Sequence, residues 1–429
     1  MDRFEGYARQ LSDAAEALST YCKLLHGQPF VSANAPSEIR QARQSILSSI
    51  SSIQILLNEP ADFLQQLATQ NQYLSCVHWL GEFQVLACIP LSHSVPFEDV
   101  AELAGIPESH LRRVVRMLAT MGFLQEPEPG YVAHSAVSAQ FVTRPSYLDA
   151  AMFLAETAAP AALQMPATSR DPASASFPMI SASAHQPKVR RQWNAYLQYG
   201  LGHSEGNLGQ LLDQFDWVGL EGGTVVTVFR SPSSPLQPGS FAYAEALTGT
   251  RAIPVVRNLA DRYPTLGQLI LQSDGDLQPN GKSPRVSFQK RCLGSLQNVP
   301  DADVYLIGLS SSSLALPASA ILDQIASELR AHLHILRSER RPAVLLLTPR
   351  PMSDNIPGTE STSELITRLH DLSLLQLANE RTMEMTELMQ VINGIGDTAG
   401  CLGVVRRMTC PHITDALLEV RYHAYASER

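Results

Sequence analysis

The stretch Val218-Gly-Leu-Glu-Gly-Gly-Thr-Val-Val-Thr-Val-Phe229 decides the fold of this 429-residue chain. The apolar run from Val225 reads as a strand buried on both faces, as a parallel sheet requires, with Gly222-Gly223 immediately before it. A loop that cradles a phosphate or carboxylate carries its glycines after the strand, where N–H groups at the next helix start can reach an anion. Here that place is taken by Arg230-Ser-Pro-Ser-Ser-Pro-Leu-Gln-Pro238. Pro232, Pro235 and Pro238 have no N–H to offer and disfavour a tight glycine turn.

Outward from this strand the sequence alternates. Strands are predicted at Thr224–Phe229, Ile253–Asn258, Leu269–Gln272, Val286–Phe288, Val304–Leu309 and Ala343–Thr348. The clearest helix is Ala318–Leu336, with Ile321, Ile325, Leu329, Leu333 and Leu336 on one stripe. Such alternation predicts an α/β fold with an open, mostly parallel sheet. Before it, Lys188 to about Phe215 has helical spacing, and Pro160–Pro187 reads as an Ala/Ser/Pro-rich connector.

The N-terminal part is helical. Phe4, Tyr7, Leu11, Ala14 and Leu18 mark an amphipathic first helix that needs a partner surface. Ser37 is expected to cap a second helix, striped by Ile46, Ile50, Ile53 and Leu57. A third segment, Ala61–Leu91, is predicted buried in its second half, around Leu80, Phe83, Leu86 and Ala87. A short helix over Val95–Ala104, a turn at Gly105, a helix over Pro107–Met121 and a hairpin around Glu126–Gly130 then follow, the order of a winged helix. The second of these helices carries Arg112, Arg113 and Arg116, but the hairpin is acidic, and this module is expected to dimerise rather than to read DNA. The predicted organisation is a helical and winged-helix dimerisation domain over 1–158, a connector over 159–187 and a Rossmann-like domain over 188–429.

Composition narrows the function classes. Hydrophobic residues make up 45% of the chain, and 41 acidic against 32 basic side chains give a formal charge of -9. That balance offers no general footprint for nucleic acid. Cys22, Cys76, Cys88, Cys292, Cys401 and Cys410 lack metal-ligand spacing and read as free thiols, with no metal site expected. No apolar run has the length of a membrane span, and an intracellular protein is expected. Three motifs fall short of chemistry. Gly275–Ser283 has five residues between its glycines where a P-loop needs four. Gly308-Leu-Ser-Ser-Ser312 lacks the last glycine of a serine elbow. His332 and His334, two apart on a helix, lie on different faces and read as ordinary helix or core histidines.

In its order of elements the chain resembles the plant and fungal S-adenosylmethionine-dependent O-methyltransferases over nearly its whole length. The residues that carry this are Arg191–Tyr196, Tyr263–Asp274, Ala302–Gly308, Asp371–Met385, Gly394–Gly396 and Leu417–Arg421. The resemblance implies an acidic residue and a glycine cluster after the first strand, and a His-Asp-Trp triplet after Val304–Leu309 whose histidine is the general base. This chain has Phe229-Arg-Ser-Pro232 at the first place and serines, Ser310–Ser313, at the second. A serine hydroxyl is no base at neutral pH. Gly222, Gly223 and Asp274 are left as vestigial cofactor-site candidates, with no catalytic residue.

A fold of this kind without donor site or base is similar to the transcriptional co-activators of fungal aromatic-polyketide clusters, the aflatoxin-cluster type among them. That resemblance implies no cofactor, a zinc-cluster transcription factor as partner, a homodimer, no direct contact with nucleic acid or membrane, and residence in nucleus and cytoplasm. The other reading is an S-adenosylmethionine-dependent tailoring enzyme acting on an aromatic polyketide.

Overall fold

The computed structural model describes residues 2–24, 36–171, 177–179, 186–201, 208–229, 255–274, 284–308, 317–338, 343–352, 362–410 and 415–425. They fall into two compact units, one of residues up to Ser75 with the first turn of the helix Thr362–Ala378, the other beginning at Cys76.

In the first unit α1 (Asp2–Leu24) and α2 (Ser37–Leu57) pack on each other, and α3 (Pro60–Glu82) begins. Pro36 rather than Ser37 occupies the cap position of α2 and gives no side-chain hydrogen bond. Ala14, Ser49 and Ser52 are buried, whereas Ile50 and Leu57 of the expected stripe stay exposed.

The second unit opens with the end of α3 and the single turn α4 (Val85–Cys88). Gln84 between them is left-handed, so the expected continuous helix breaks there. Leu80 and Leu86 are buried as expected, but Phe83 and Ala87 lie at the break and remain exposed. Next come β1 (Val95–Pro96), α5 (Phe97–Ala104), α6 (Glu108–Ala119), β2 (Leu124–Gln125) and β3 (Tyr131–His134). The three strands form an antiparallel sheet in the order β1-β3-β2. Helices α7 (Ala136–Thr143) and α8 (Pro145–Phe153) lead through a π-helical turn, Leu154–Ala158, into α9 (Ala159–Arg170). Residues 159–170, read from composition as connector, are thus helical. Alanine and leucine favour that state, and the chain stays right-handed from the π turn into α9, with Pro160 in its first turn and Pro166 inside it.

After α10 (Pro187–Tyr199) and α11 (Leu208–Leu212), the main sheet comprises β4 (Val225–Val228), β5 (Leu269–Ser273), β6 (Val286–Lys290), β7 (Val304–Gly308), β8 (Val344–Thr348), β9 (Gly400–Met408) and β10 (Leu417–Ala424). Its order is β6-β5-β4-β7-β8-β10-β9, with β4 to β8 parallel and β10 antiparallel to both neighbours. Alternate side chains feed two cores: Val226, Tyr305 and Leu345 face one that contains α13 (Ala318–Leu336), and Val225, Val304 and Leu346 face the other. The predicted strand Ile253–Asn258 is instead helical at 255–262, α12. Val255, Val256, Leu259 and Ala260 are buried while Arg257, Asn258, Asp261 and Arg262 are not, a helical period that a four-residue apolar window conceals. Helices α14 (Thr362–Ala378) and α15 (Met385–Asn393) complete the unit.

Candidate functional site

An open parallel sheet binds ligands at the carboxyl ends of its strands, where the strand order reverses. Here the reversal lies between β4 and β7. Phe229 follows β4 directly, is buried, and donates its backbone N–H to the Gln272 carbonyl at 3.0 Å. Its ring lies on Gly308, the last residue of β7. A Cβ added at Gly308 would stand 2.0 Å from Phe229 Cε1, so only glycine leaves room for the ring. The crevice floor is therefore filled by an aromatic side chain. Beside it a cavity of about 100 Å³, lined by Val228, Leu293, Gly308, Ile321, Ile325 and Glu328 among others, runs under α13. Ligand pockets for molecules of drug size are several times larger, about 300 Å³ and upward.

The carboxyl ends of β5 and β6 hold a buried polar network. Gln272 Nε2 donates to Gln297 Oε1 and Asn298 Oδ1, each at 2.9 Å, and Gln297 Nε2 returns a bond to Gln272 Oε1 at 2.9 Å. The buried His332 sets its Nδ1 2.8 Å from the Glu328 carbonyl and its Nε2 3.0 Å from Gln297 Nε2. A ring that donates from Nδ1 and accepts at Nε2 fits both contacts. Burial pushes its pKa down, which keeps this neutral form. Arg291 Nη1 donates to Glu328 Oε1 at 2.5 Å, and Gly294 N donates to Glu328 Oε2 at 2.6 Å. Past the end of β8, Arg350 Nε donates to Asp415 Oδ1 at 2.9 Å. His370 on α14 is buried, and burial together with the charge of Arg350 pushes its pKa down to about 3. Gln272, Gln297, Arg291 and Glu328 are tied to one another and to nearby backbone, which fixes the carboxyl ends of β5 and β6 against α13.

The sequence-predicted candidates separate. Asp274 follows β5 at the carboxyl edge, half-buried. Gly222 and Gly223 lie at the amino edge, before β4. Gly222 N donates to the Thr265 carbonyl at 2.9 Å, and the Gly223 carbonyl accepts from Gly267 N at 2.9 Å. A Cβ on Gly267 would stand 2.5 Å from the Gly222 carbonyl oxygen, so two backbone segments cross in contact. With Val225 opposite Leu269 and Val228 opposite Gln272, Asp274 lies level with position 230, seven residues or roughly 23 Å along the strand direction from Gly223, and the glycines and Asp274 share no site.

On α6, Arg116 pairs with Glu126 through two bonds of 2.7 and 2.9 Å, and Arg112 pairs with Glu108. The Arg116 guanidinium and the Gly130 N–H hold the Glu126 carboxyl at about 2, well below the usual range. Arg113 is exposed. Residues 230–238, 275–283 and 309–313, which carry the prolines, the P-loop near-miss and the serine run, lie outside the described residues. No helix among the described residues is long and apolar enough to cross a membrane.

Sequence reading missed the Phe229–Gly308 contact, the Gln272–Gln297–His332 network and the two buried arginine–carboxylate pairs. Each joins residues from separate elements and leaves no local spacing signal. The one available hint was a large aromatic residue directly after β4, where a cofactor loop would begin.

Residues 1–58 match the family model of the trypacidin cluster transcriptional coactivator tpcD N-terminal domain. The monodictyphenone cluster transcriptional coactivator mdpA of Emericella nidulans is 39% identical, covering 98% of both chains. The trypacidin cluster transcriptional coactivator tpcD of Aspergillus fumigatus is 38% identical over 99% of this chain and 97% of its own. The aflatoxin cluster transcriptional coactivator aflS of Aspergillus flavus is 34% identical over 96% and 97%. Among solved structures, the mitomycin 7-O-methyltransferase MmcR superposes with a TM-score of 0.52 at 19% identity, covering 85% of this chain and 98% of that one. OxaC, solved in complex with SAH and oxaline, gives 0.54 at 14% identity, covering 98% and 99%. At such identities the structures speak for the fold alone: an O-methyltransferase architecture with a Rossmann-like sheet. The chain belongs to the family of transcriptional coactivators of fungal secondary-metabolite clusters.

Proposed function

We propose that the chain is a non-catalytic co-activator that binds a zinc-cluster transcription factor and raises expression of a fungal polyketide cluster. The observation that carries the non-catalytic part is the Phe229 ring packed on Gly308 where the strand order reverses. This edge is a poor seat for S-adenosylmethionine, because an apolar ring stands where the fold would need backbone N–H groups facing a carboxylate. Glu328, which lines the cavity beside Gly308, is engaged by Arg291 and Gly294 N, and Asp274 after β5 would be one contact for a molecule that needs several.

The antiparallel sheet with α5 and α6 is read as a winged helix that serves a homodimer and makes no direct contact with DNA. Its arginines Arg112 and Arg116 are already committed to Glu108 and Glu126, which supports that reading. The protein acts in the nucleus and reaches it with its partner. The test is co-precipitation of the full-length chain with the zinc-cluster factor of its cluster, alongside a reporter driven by a cluster promoter. Association together with raised reporter output is the expected result. Failure of both overturns the proposal.

A further inference from the structure

Away from the sheet, three side chains converge between α3 and the π-helical turn. His78 and Glu82 are four apart on α3 and so share one face, and Glu156 is aimed at them from the π turn. One ligand atom from each lies within 4.8 Å of the other two. His78 Nε2 is 3.8 Å from Glu156 Oε1, beyond hydrogen-bonding range. The two carboxylates face each other with Lys188, whose Nζ is 3.4 Å from Glu156 Oε2, as the compensating charge.

We propose that His78, Glu82 and Glu156 bind a divalent transition-metal ion, zinc in the first place. An imidazole nitrogen with two carboxylate oxygens is a donor set that zinc accepts, and a fourth position stays open to water. Tetrahedral zinc at its usual bond lengths holds ligand atoms about 3.4 Å apart. Partly exposed side chains on two neighbouring helices close the remaining gap by small torsional changes. Two facing carboxylates repel each other, and a dication between them converts that repulsion into attraction while releasing Lys188 to solvent. The bound ion clamps the C-terminal end of α3 onto the π turn. Hard cations are not expected to compete, since an imidazole suits zinc better than magnesium or calcium. Nothing in this site depends on the co-activator reading.

The experiment is calorimetry of the full-length chain, free of any affinity tag, with zinc chloride and cobalt chloride, together with cobalt absorption spectra. One equivalent binding in the micromolar range is expected. His78→Gln and Glu156→Gln each weaken binding at least about tenfold. Lys188→Met tightens it, because the competing ammonium is gone, an effect that loss of folding cannot imitate. Absence of binding, binding unchanged by His78→Gln, or a cobalt spectrum dominated by thiolate charge transfer from a cysteine would each overturn the proposal.

Discussion

The two ends of the parallel strands are built by different means. At the amino edge Gly222, Gly223 and Gly267 let two backbone segments touch, and main-chain hydrogen bonds hold them. At the carboxyl edge side chains do the holding: Phe229 against Gly308, Gln272 with Gln297, Arg291 with Glu328, and Arg350 with Asp415. The carboxyl edge is where an open parallel sheet binds ligands, and here the described side chains at that edge pack on one another. The glycine pair that looks like a displaced cofactor loop is a backbone crossing, and the informative residue is the phenylalanine after the strand.

Substitutions at each edge sharpen the contrast. Phe229→Ala empties the carboxyl crevice floor and is expected to cost about 3–5 kcal/mol, read as a fall in the denaturant midpoint at constant slope. Gly267→Ala at the amino edge drives a methyl group into the Gly222 carbonyl. Main chain yields less readily than a side chain, so about 2–3 kcal/mol is expected. Gly308→Ala is expected to cost about 1–2 kcal/mol, because it displaces only the Phe229 ring. In a Phe229→Ala background that cost should nearly vanish, and a double-mutant cycle with no coupling would break the assignment of this contact.

A smaller effect is expected with pH. The His370 pKa is depressed from an ordinary 6.5 to about 3, so the unfolded chain binds the extra proton first as pH falls. Stability from this group is present above pH 6.5 and declines as pH drops toward 3. About 1 kcal/mol should go within the first pH unit below 6.5. His370→Gln should flatten that part of the profile in urea melts at stepped pH. An unchanged slope would mean that the imidazole is not held neutral by its surroundings.

Much of the fold was legible because it rests on periodicities. Ala318–Leu336 was predicted with the bounds it has, and five of the six proposed strands of the sheet are present, since runs such as Val344–Thr348 are buried on both faces. The failure at Ile253–Asn258 came from a window too short to distinguish the repeat of α12 from a strand. The expectation of no glycine loop after β4 rests on residues 230–238, which lie outside the described residues. The packing at the end of β4 left no such local signal. Phe229 and Gly308 are 79 positions apart, and only the parallel pairing of β4 with β7 brings them together. Gly222, Gly223 and Asp274 likewise read as candidates for one cofactor site, although strand direction sends them to opposite edges.

The most direct test of the central claim is calorimetry of the full-length chain with S-adenosylmethionine. With Phe229 on Gly308 and no glycine loop after β4, no saturable heat is expected at micromolar to submillimolar ligand. A saturable isotherm with micromolar affinity would contradict the account and return the chain to the cofactor-binding enzymes.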